Sequence, residues 1–362
     1  MTLNRILKLV FKGKNKNMNK LKAPLAEKKL KEISQHGETR FDPYDWMRAE
    51  NWKEVLQDPK NLDDERRAFL EAENDYTKAH MKASETLTQT IGDELVSRII
   101  PTESSIPAKH GDWEYWVEYR ESGNYPVYKR RHLLTEQEQM VFDGDKEAEG
   151  QEFFDIHSVN HSPDHKYMSY AVDVEGSEYY KIRMREIETG KEFSEIVPKT
   201  GGYCTWSEDS TRFYYVELDD NHKPKNVKCH VIGDDPTNDI TVYHEKDDGY
   251  FLSVHKTNSG KYIMVTSSNS ETSEVRFFEA NAAGQPDMKL ARAREDGVQY
   301  SLHHHGDDFY IHTNKDGATE FKIMKTPVAA FSEENWRDYL PARDGITLEG
   351  ITLLQDYMIR DE

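Results

Sequence analysis

An aromatic anchor returns along the chain at nearly regular intervals, and this repeat constrains the fold more than any other feature. Each anchor follows a turn and opens an apolar run, as in "DHKYMSYAV" and "SGKYIMVTS". The anchors are Trp113, Tyr167, Phe213, Tyr262, Phe309 and Tyr357. They are separated by 54, 46, 49, 47 and 48 residues. A near-constant period of this length is typical of a β-propeller or a solenoid.

A second apolar segment follows each of the first five anchors by about a dozen residues. In one of these segments, Tyr180, Ile182 and Met184 alternate with basic residues, as expected for a strand with one buried face. Two hairpinned strands per unit, with room for two more, predict a four-stranded propeller blade. Solenoid repeats are usually shorter and often helical, so they are disfavoured. The sequence therefore predicts a mainly β chain with consecutive antiparallel blades over residues 101–362.

Two helices are predicted ahead of the repeats, within residues 32–100. Asp63 or Asp64 is a candidate N-cap for the first helix, and Pro101 would stop the second. The first apolar stripe consists of Phe69, Ala72, Tyr76 and Ala79. The second consists of Leu87, Ile91, Leu95 and Ile99. Stripes at this spacing indicate packing surfaces rather than cofactor contacts.

Charge is unevenly distributed along an acidic chain. The sequence holds 48 Lys and Arg against 67 Asp and Glu, for a net charge of −19. Residues 1–31 nevertheless carry a net +9 and are predicted to be a basic, disordered tail, with Met18 as a candidate true start. The acidic remainder argues against nucleic-acid binding. No apolar run approaches the ~18 residues of a membrane span, so no membrane contact is expected.

Cysteine usage bears on the compartment. Only Cys204 and Cys229 occur, so no disulfide framework is predicted and a reducing compartment is permitted. Buried free thiols are the simplest interpretation of both residues. We therefore expect a cytoplasmic location.

The stretch "HSPDH" brings together the three side-chain types of a serine hydrolase in Ser162, Asp164 and His165, with His161 just ahead. Catalytic triads draw their members from distant parts of a chain and align them in a relay, which such close neighbours cannot easily do. Ser-Pro-Asp before an apolar run is typical of a turn. The repeat places these residues where other units have "EDS" and "NSG". A turn is therefore predicted here, and no catalytic residue.

Other candidate sites are weaker. His303, His304, His305, Asp307, Asp308 and His312 suggest a metal cluster, but successive strand residues point to opposite faces, so a polar blade edge is favoured. His244-Glu245 lacks the second histidine of a zincin helix. The acidic run at 143–150 lacks the pattern of a calcium loop. "GGYCTW" (201–206) is no nucleophile elbow, and neither a Gly-x-Ser-x-Gly pentapeptide nor a P-loop occurs in the sequence. No metal or other cofactor is predicted.

With the helices and repeats in place, a family resemblance becomes visible. "HGETRFDPYDWMRAEN" (36–51), "FLEAENDYTKAHM" (69–81) and "YWVEYRESGNYPVYKRR" (115–131) resemble the start of oligopeptidase B, the Lys/Arg-directed branch of the prolyl oligopeptidase family of serine peptidases. The likeness continues through "AVDVEGSEYYKIRMREIETG" (171–190), "WSEDSTRFYYVELDDNHKPKNV" (206–227) and "TNKDGATEFKIM" (313–324). It runs in order from about residue 22 to the end of the sequence.

The resemblance implies a seven-bladed propeller that caps an α/β-hydrolase domain. In the family the preceding helical segment packs on that domain, which also holds the Ser, Asp and His of the triad and the acidic pockets for the basic side chain. The sequence reaches Glu362 just after the sixth anchor, so about five blades and the start of a sixth are expected. No catalytic residue can be carried over to a position of this sequence, and the chain alone is expected to be inactive.

Two classes of function remain open from the sequence. The chain is either the propeller portion of a serine endopeptidase that cleaves short peptides after Lys or Arg, or a non-catalytic propeller module that binds peptides or proteins. In the first case its partners are basic peptides and a C-terminal α/β-hydrolase domain that would supply the triad. The propeller would then restrict access to short peptides.

Overall fold

The computed structural model of the chain describes residues 21–362, and the basic segment and Met18 lie largely or wholly outside this range. The described residues form two compact units that meet in sequence at Pro101 and Thr102. The first unit is a β-hairpin followed by helices. The second unit consists almost entirely of antiparallel strands.

The hairpin opens the first unit and was not predicted from the sequence. Its strands are β1 (Lys31–Gln35) and β2 (Glu38–Asp42), paired through Gln35 and Glu38. The two residues between them, His36 and Gly37, both have positive φ (55° and 81°), as two-residue hairpin turns require. Histidine in the first turn position does not usually indicate a turn. The sequence therefore predicted only helices in this segment.

Three helices follow, α1 (Trp52–Gln57), α2 (Asp64–Met81) and α3 (Glu85–Ser97). Asp63 is the N-cap of α2, where its side chain accepts a hydrogen bond from the backbone N–H of Arg66 at 3.1 Å. The first predicted stripe lies on α2. Leu87, Ile91 and Leu95 of the second lie on α3, whereas Ile99 lies beyond its end. However, neither helix contains a buried residue. Phe69 makes an edge-on contact with Trp46, whereas the α3 stripe is exposed.

The second unit contains strands β3 to β23. The first two repeats comprise β3 (Ala108–His110), β4 (Trp113–Glu118), β5 (Val127–His132), β6 (Glu138–Asp143), β7 (Asp155–His161), β8 (Tyr167–Asp173), β9 (Tyr180–Glu186) and β10 (Val197–Trp206). The next comprise β11 (Arg212–Leu218), β12 (Pro224–Val231), β13 (Ile240–His244), β14 (Phe251–Lys256), β15 (Tyr262–Ser268), β16 (Ser273–Glu279) and β17 (Lys289–Arg292). The last are β18 (Tyr300–His305), β19 (Asp308–Thr313), β20 (Lys322–Pro327), β21 (Arg337–Leu340), β22 (Gly350–Leu353) and β23 (Met358–Asp361).

Short helices connect the strands of the second unit. The only α-helical turn there is α4 (Gly144–Glu147), a single turn that the sequence did not predict. Asp143 caps it by accepting a hydrogen bond from the backbone N–H of Lys146. The 3-10 helices of the described chain are Asp45–Met47, Pro59–Asn61, Lys82–Ser84, Pro236–Asn238, Lys315–Gly317, Val328–Ala330 and Glu333–Asn335.

The strands pair in chain order, as in propeller blades. Strands β3–β6, β14–β17 and β18–β21 form separate four-stranded sheets, and β22–β23 form a hairpin. Strands β7–β13 form one seven-stranded sheet because β10 serves two repeats. Its Val197 end pairs with β9, and its Trp206 end pairs with β11. The ladder shifts between these ends, next to Lys199 and Gly202, whose φ angles are positive.

The anchors occupy equivalent strands, as the repeat predicted. Five of them are the first or second residue of β4, β8, β11, β15 and β19, the second strand of each repeat. The sixth, Tyr357, lies one residue before β23. The segments a dozen residues on form the third strands, and Ile182 and Met184 of β9 are buried as predicted. The second unit is therefore mainly β, with consecutive antiparallel sheets that pair as the blades of a propeller do.

Candidate functional site

The turn at 162–165 does not bring its residues into a catalytic relay. Ser162 is fully buried, and its hydroxyl donates to the Asp164 carboxylate at 2.6 Å and accepts from the backbone N–H of Tyr167 at 2.9 Å. His165 instead contacts the Tyr115 hydroxyl through Nδ1 at 2.9 Å. A nucleophile must be bonded to the base that takes its proton, and here serine is bonded to the carboxylate.

The same hydrogen-bonded turn recurs in two other repeats. Ser207 donates to Asp209 at 2.6 Å and accepts from the backbone of Arg212. Thr257 has the equivalent contacts with Ser259 and Tyr262. In each turn the fourth residue has a positive φ, which is 61° in His165, 60° in Ser210 and 74° in Gly260. The hydroxyl residue therefore closes the turn ahead of the second strand.

The histidines of the 303–312 segment are dispersed among different partners. His303, His304 and His305 alternate between the two faces of β18, where His304 is the most buried, and His312 lies on β19. The ring contacts are His303 to the Ser301 hydroxyl, His304 to the Ser259 hydroxyl, His305 to the Gln355 carbonyl and His312 to the Leu348 carbonyl. The last three contacts connect the fifth repeat to its neighbours, whereas the first lies within β18. Asp308 forms an ion pair with Lys325 at 2.8 Å instead of joining the histidines.

The remaining sequence candidates also have local partners. Asp143 forms an ion pair with Arg120 at 2.8 Å, and Asp145 accepts from two backbone N–H groups at the end of a loop. His244 contacts the Asn226 side chain at 2.7 Å. Cys204 and Cys229 are free and buried, and burial raises the pKa of the Cys204 thiol to about 12. A thiol with this pKa remains protonated at neutral pH and is a poor nucleophile.

A buried ionic network that sequence reasoning missed joins the third and fourth repeats. Arg294 lies 2.8 Å from Glu245 and 3.2 Å from Glu274, and both carboxylates are almost fully buried. Ser267 and Arg276 also donate to these carboxylates. Glu245 and Arg294 are 49 positions apart, so no local pattern could have indicated the pair.

Neighbouring repeats adjoin through their first strands, and these strands expose polar side chains. The Ser158 hydroxyl of β7 donates to the Gly202 carbonyl of β10 at 2.7 Å. Along β14, Ser253 and His255 are exposed while Leu252 and Val254, which alternate with them, are buried. Beside them is a cavity of about 460 Å³ lined by Gly201, Tyr203, Val216, Leu218, Pro224 and Leu252 to His255. The first strands thus present a polar surface bordered by an apolar recess.

One group of side chains among residues 21–362 has the composition of a metal site. His110, His161 and His165 place one ligating nitrogen each within 4.8 Å of the others. Sequence reasoning noted two of these residues but not His110, which lies in the preceding repeat. Only the pairing of repeats in space brings the three together.

Comparisons with known proteins agree on one family. Residues 24–361 match the family described as "Prolyl oligopeptidase, N-terminal beta-propeller domain". Dipeptidyl aminopeptidase BI of Pseudoxanthomonas mexicana is 30% identical over 341 residues, covering 90% of this chain and 46% of that protein. Protease 2 of Moraxella lacunata is 28% identical over 348 residues, covering 91% of this chain and 49% of that protein.

A solved structure shows the same likeness. Oligopeptidase B from Leishmania major superimposes with a TM-score of 0.84 at 25% identity, over 94% of this chain and 49% of that one. This chain spans about half the length of the curated relatives it matches. No helix among the described residues is long and apolar enough to cross a membrane.

The turn at 162–165 leads to a first prediction. The purified 362-residue chain is expected to remain unlabelled by a fluorophosphonate probe, which reacts with activated serines, because Ser162 has no histidine to accept its proton. Ser162→Ala is expected to lower the free energy of unfolding by about 1–3 kcal/mol, since the Tyr167 N–H loses its buried acceptor. Urea denaturation measures this change. Exposed Ser194→Ala is the matched control, and labelling of Ser162 would contradict the account.

A second prediction concerns the Glu245 network. Burial alone would raise the pKa of Glu245, but hydrogen bonds from Arg294 and Ser267 lower it to about 2. The ionised carboxylate therefore stabilises the fold above pH 4.5, and this stabilisation is lost as the pH falls toward 2. Glu245→Gln should lower the free energy of unfolding at pH 7 by about 3–5 kcal/mol. In acid, the free energies of unfolding of the variant and the unsubstituted chain should become more similar, because the Glu245 carboxylate is then protonated.

Urea denaturation from pH 7 to pH 3 measures this narrowing. Glu152→Gln, at an exposed position of the second repeat, is the matched control and should change little at any pH. If the free energy of unfolding of Glu245→Gln stays below that of the unsubstituted chain by the same amount from pH 7 to pH 3, the ionised carboxylate is not what stabilises the network.

Proposed function

The chain belongs to the prolyl oligopeptidase family of peptidases, whose N-terminal β-propeller domain it matches, and from this we propose that it is the propeller portion of an oligopeptidase B-like serine endopeptidase. The enzyme cleaves short peptides after Lys or Arg. An α/β-hydrolase domain supplies the serine, aspartate and histidine, and the propeller admits only short peptides to them.

The likeness to oligopeptidase B carries the proposal. It extends over 94% of the chain, including the hairpin and helices before the propeller. A propeller that merely shared the architecture would not need that leading segment. The net charge of −19 also suits basic peptides, because an acidic surface raises their local concentration.

The exposed face of α3 supports a contact with a partner domain. Leu87, Ile91 and Leu95 are 61%, 48% and 58% exposed, and they follow one another at four-residue spacing. Burying each such side chain contributes about 1.5–3 kcal/mol. A continuous apolar stripe on a helix is a surface that packs against another element. In the proposed enzyme that element belongs to the hydrolase domain.

The polar surface of the first strands supports the gating role. Ser253, His255 and His303 are at least partly exposed there. Burial lowers the pKa of His303 to about 4, so this ring is uncharged at neutral pH and does not repel a basic peptide. A short peptide can move along a hydrated surface of this kind without binding tightly to it.

A second candidate activity comes from the relative named dipeptidyl aminopeptidase BI, at 30% identity. An enzyme of that kind would remove dipeptides from a free N-terminus instead of cutting within a blocked peptide.

The alternative of a non-catalytic binding module requires that no hydrolase domain assemble with the chain. The α3 stripe then binds a different protein partner.

Co-expression tests the proposal. The 362-residue chain alone should form oligomers, because the α3 stripe and the free sheet edges are exposed. Together with the α/β-hydrolase domain of the proposed enzyme, it should give a monodisperse complex. Leu95→Lys should prevent the complex without destabilising the chain, since Leu95 is exposed. Gln89→Lys, on the opposite face of α3, should leave the complex intact.

Two fluorogenic substrates then distinguish the activities. The complex should cleave a substrate with a blocked N-terminus and arginine at the cleavage site. Cleavage of only unblocked dipeptide substrates would favour the aminopeptidase. If the chain alone is monomeric, unfolds cooperatively on heating and does not bind the hydrolase domain, this result would favour the binding module.

A further inference from the structure

Three histidines from two repeats converge at the junction of β3 and β7. His110 ends β3, His161 ends β7, and His165 lies in the turn that follows. Their ring centroids are 4.9, 5.0 and 5.2 Å apart, and the ligating nitrogens lie within 4.8 Å of one another. The site belongs to the propeller itself and does not depend on the proposed peptidase activity.

The repeat does not require these histidines. The equivalent turns of the third and fourth repeats have Trp206 and Lys256 in place of His161, and Ser210 and Gly260 in place of His165. Those turns have the same serine or threonine hydrogen bonds without a histidine. The histidines of the second repeat therefore serve something other than the closure of the turn.

The hydrogen bonds of two rings orient them as metal ligands. Nδ1 of His161 lies 2.9 Å from the Ser162 carbonyl oxygen, which only accepts, so Nδ1 carries the proton and Nε2 has a lone pair. Nδ1 of His165 lies 2.9 Å from the Tyr115 hydroxyl, whose oxygen can accept a hydrogen bond from it in the same way. A histidine ligand usually donates its other N–H to an oxygen as these two can.

We propose that His110, His161 and His165 bind one divalent transition-metal ion of the Zn²⁺ class and thereby join the first repeat to the second. Zn–N bonds are 2.0–2.1 Å long, so two nitrogens at a tetrahedral angle lie about 3.3 Å apart. The three nitrogens therefore have to move toward one another by up to about 1.5 Å when the ion binds. His110 is exposed, and its ring can turn toward the other two without disturbing the core. Three nitrogens leave a fourth position open for water.

Charged groups of both signs lie beside the site. Arg130 is one such cation, and its guanidinium donates to the His165 carbonyl at 2.5 Å. The carboxylates of Asp112 and Asp164 act on His165 in the opposite sense.

The ion would stabilise the weakest part of the first repeat. Strand β3 has three residues, all exposed, and β4 has no fully buried residue. The corresponding strands of the second repeat are more buried. A bond from His110 to an ion held by His161 and His165 would fix β3 against this better-packed neighbour.

Metal titration tests the proposal on the full 362-residue chain in chelator-treated buffer. Calorimetry with ZnCl₂ should show one ion per chain, and Co²⁺ should develop the visible absorption of a tetrahedral site. Zn²⁺ should also raise the Tm. His110→Gln should weaken Zn²⁺ binding at least about 10-fold and remove the rise in Tm.

Because His110 is exposed, its substitution should leave the circular dichroism spectrum unchanged, so loss of binding cannot be ascribed to unfolding. His36→Asn, at an exposed histidine of the hairpin turn, is the matched control and should bind Zn²⁺ as the unsubstituted chain does. Equal affinity of His110→Gln and the unsubstituted chain, or Co²⁺ without tetrahedral absorption, would overturn the proposal.

Discussion

The packing of neighbouring sheets against both faces of each repeat's second strand is the interaction on which the second unit depends. In β8 and β15 the residues of both faces are largely buried, although an isolated sheet would leave one face in water. Tyr214 and Val216 of the third repeat share an apolar cluster with Ile263 and Val265 of the fourth. Each repeat therefore buries its second face only because another follows it.

This dependence explains which features could be predicted from the sequence. Five anchors lie at the start of equivalent strands because the repeats place an apolar second strand between two sheets, and that demand leaves a period. Phe213 and Phe309 are fully buried there, whereas Tyr357 precedes β23 and is exposed. The Ser162 turn could also be interpreted, since the same hydroxyl contacts recur at Ser207 and Thr257. The residues that repeat are the ones that packing constrains.

The features that could not be predicted depend on contacts without a local pattern. Glu245 and Arg294 meet across a junction of repeats, and His110 meets His161 in the same way. The sharing of β10 results from a bend at Lys199 and Gly202 that periodicity does not reveal. The hairpin before the helices depends on His36 in a backbone conformation that histidine seldom adopts.

The junctions between repeats are thus where a propeller can acquire function without changing its fold. The turns that precede the second strands tolerate serine, threonine, histidine or glycine, so their outer positions are available for other chemistry. The first unit differs, because its helices contain no buried residue and its apolar stripe has no partner within that unit. In the enzyme proposed above, that stripe and the polar first strands are the surfaces through which the propeller would serve the catalytic domain.

Hydrogen exchange followed by mass spectrometry tests the central claim most directly, namely that stacking of repeats through their second strands stabilises the propeller. The account predicts the slowest exchange in β8, β11, β15 and β19, which are packed on both faces. It predicts fast exchange in β23, which has only β22 beside it, and in β3, which is exposed. Equal protection of β23 and β15, or faster exchange in the second strands than in the outer strands β17 and β21, would contradict it.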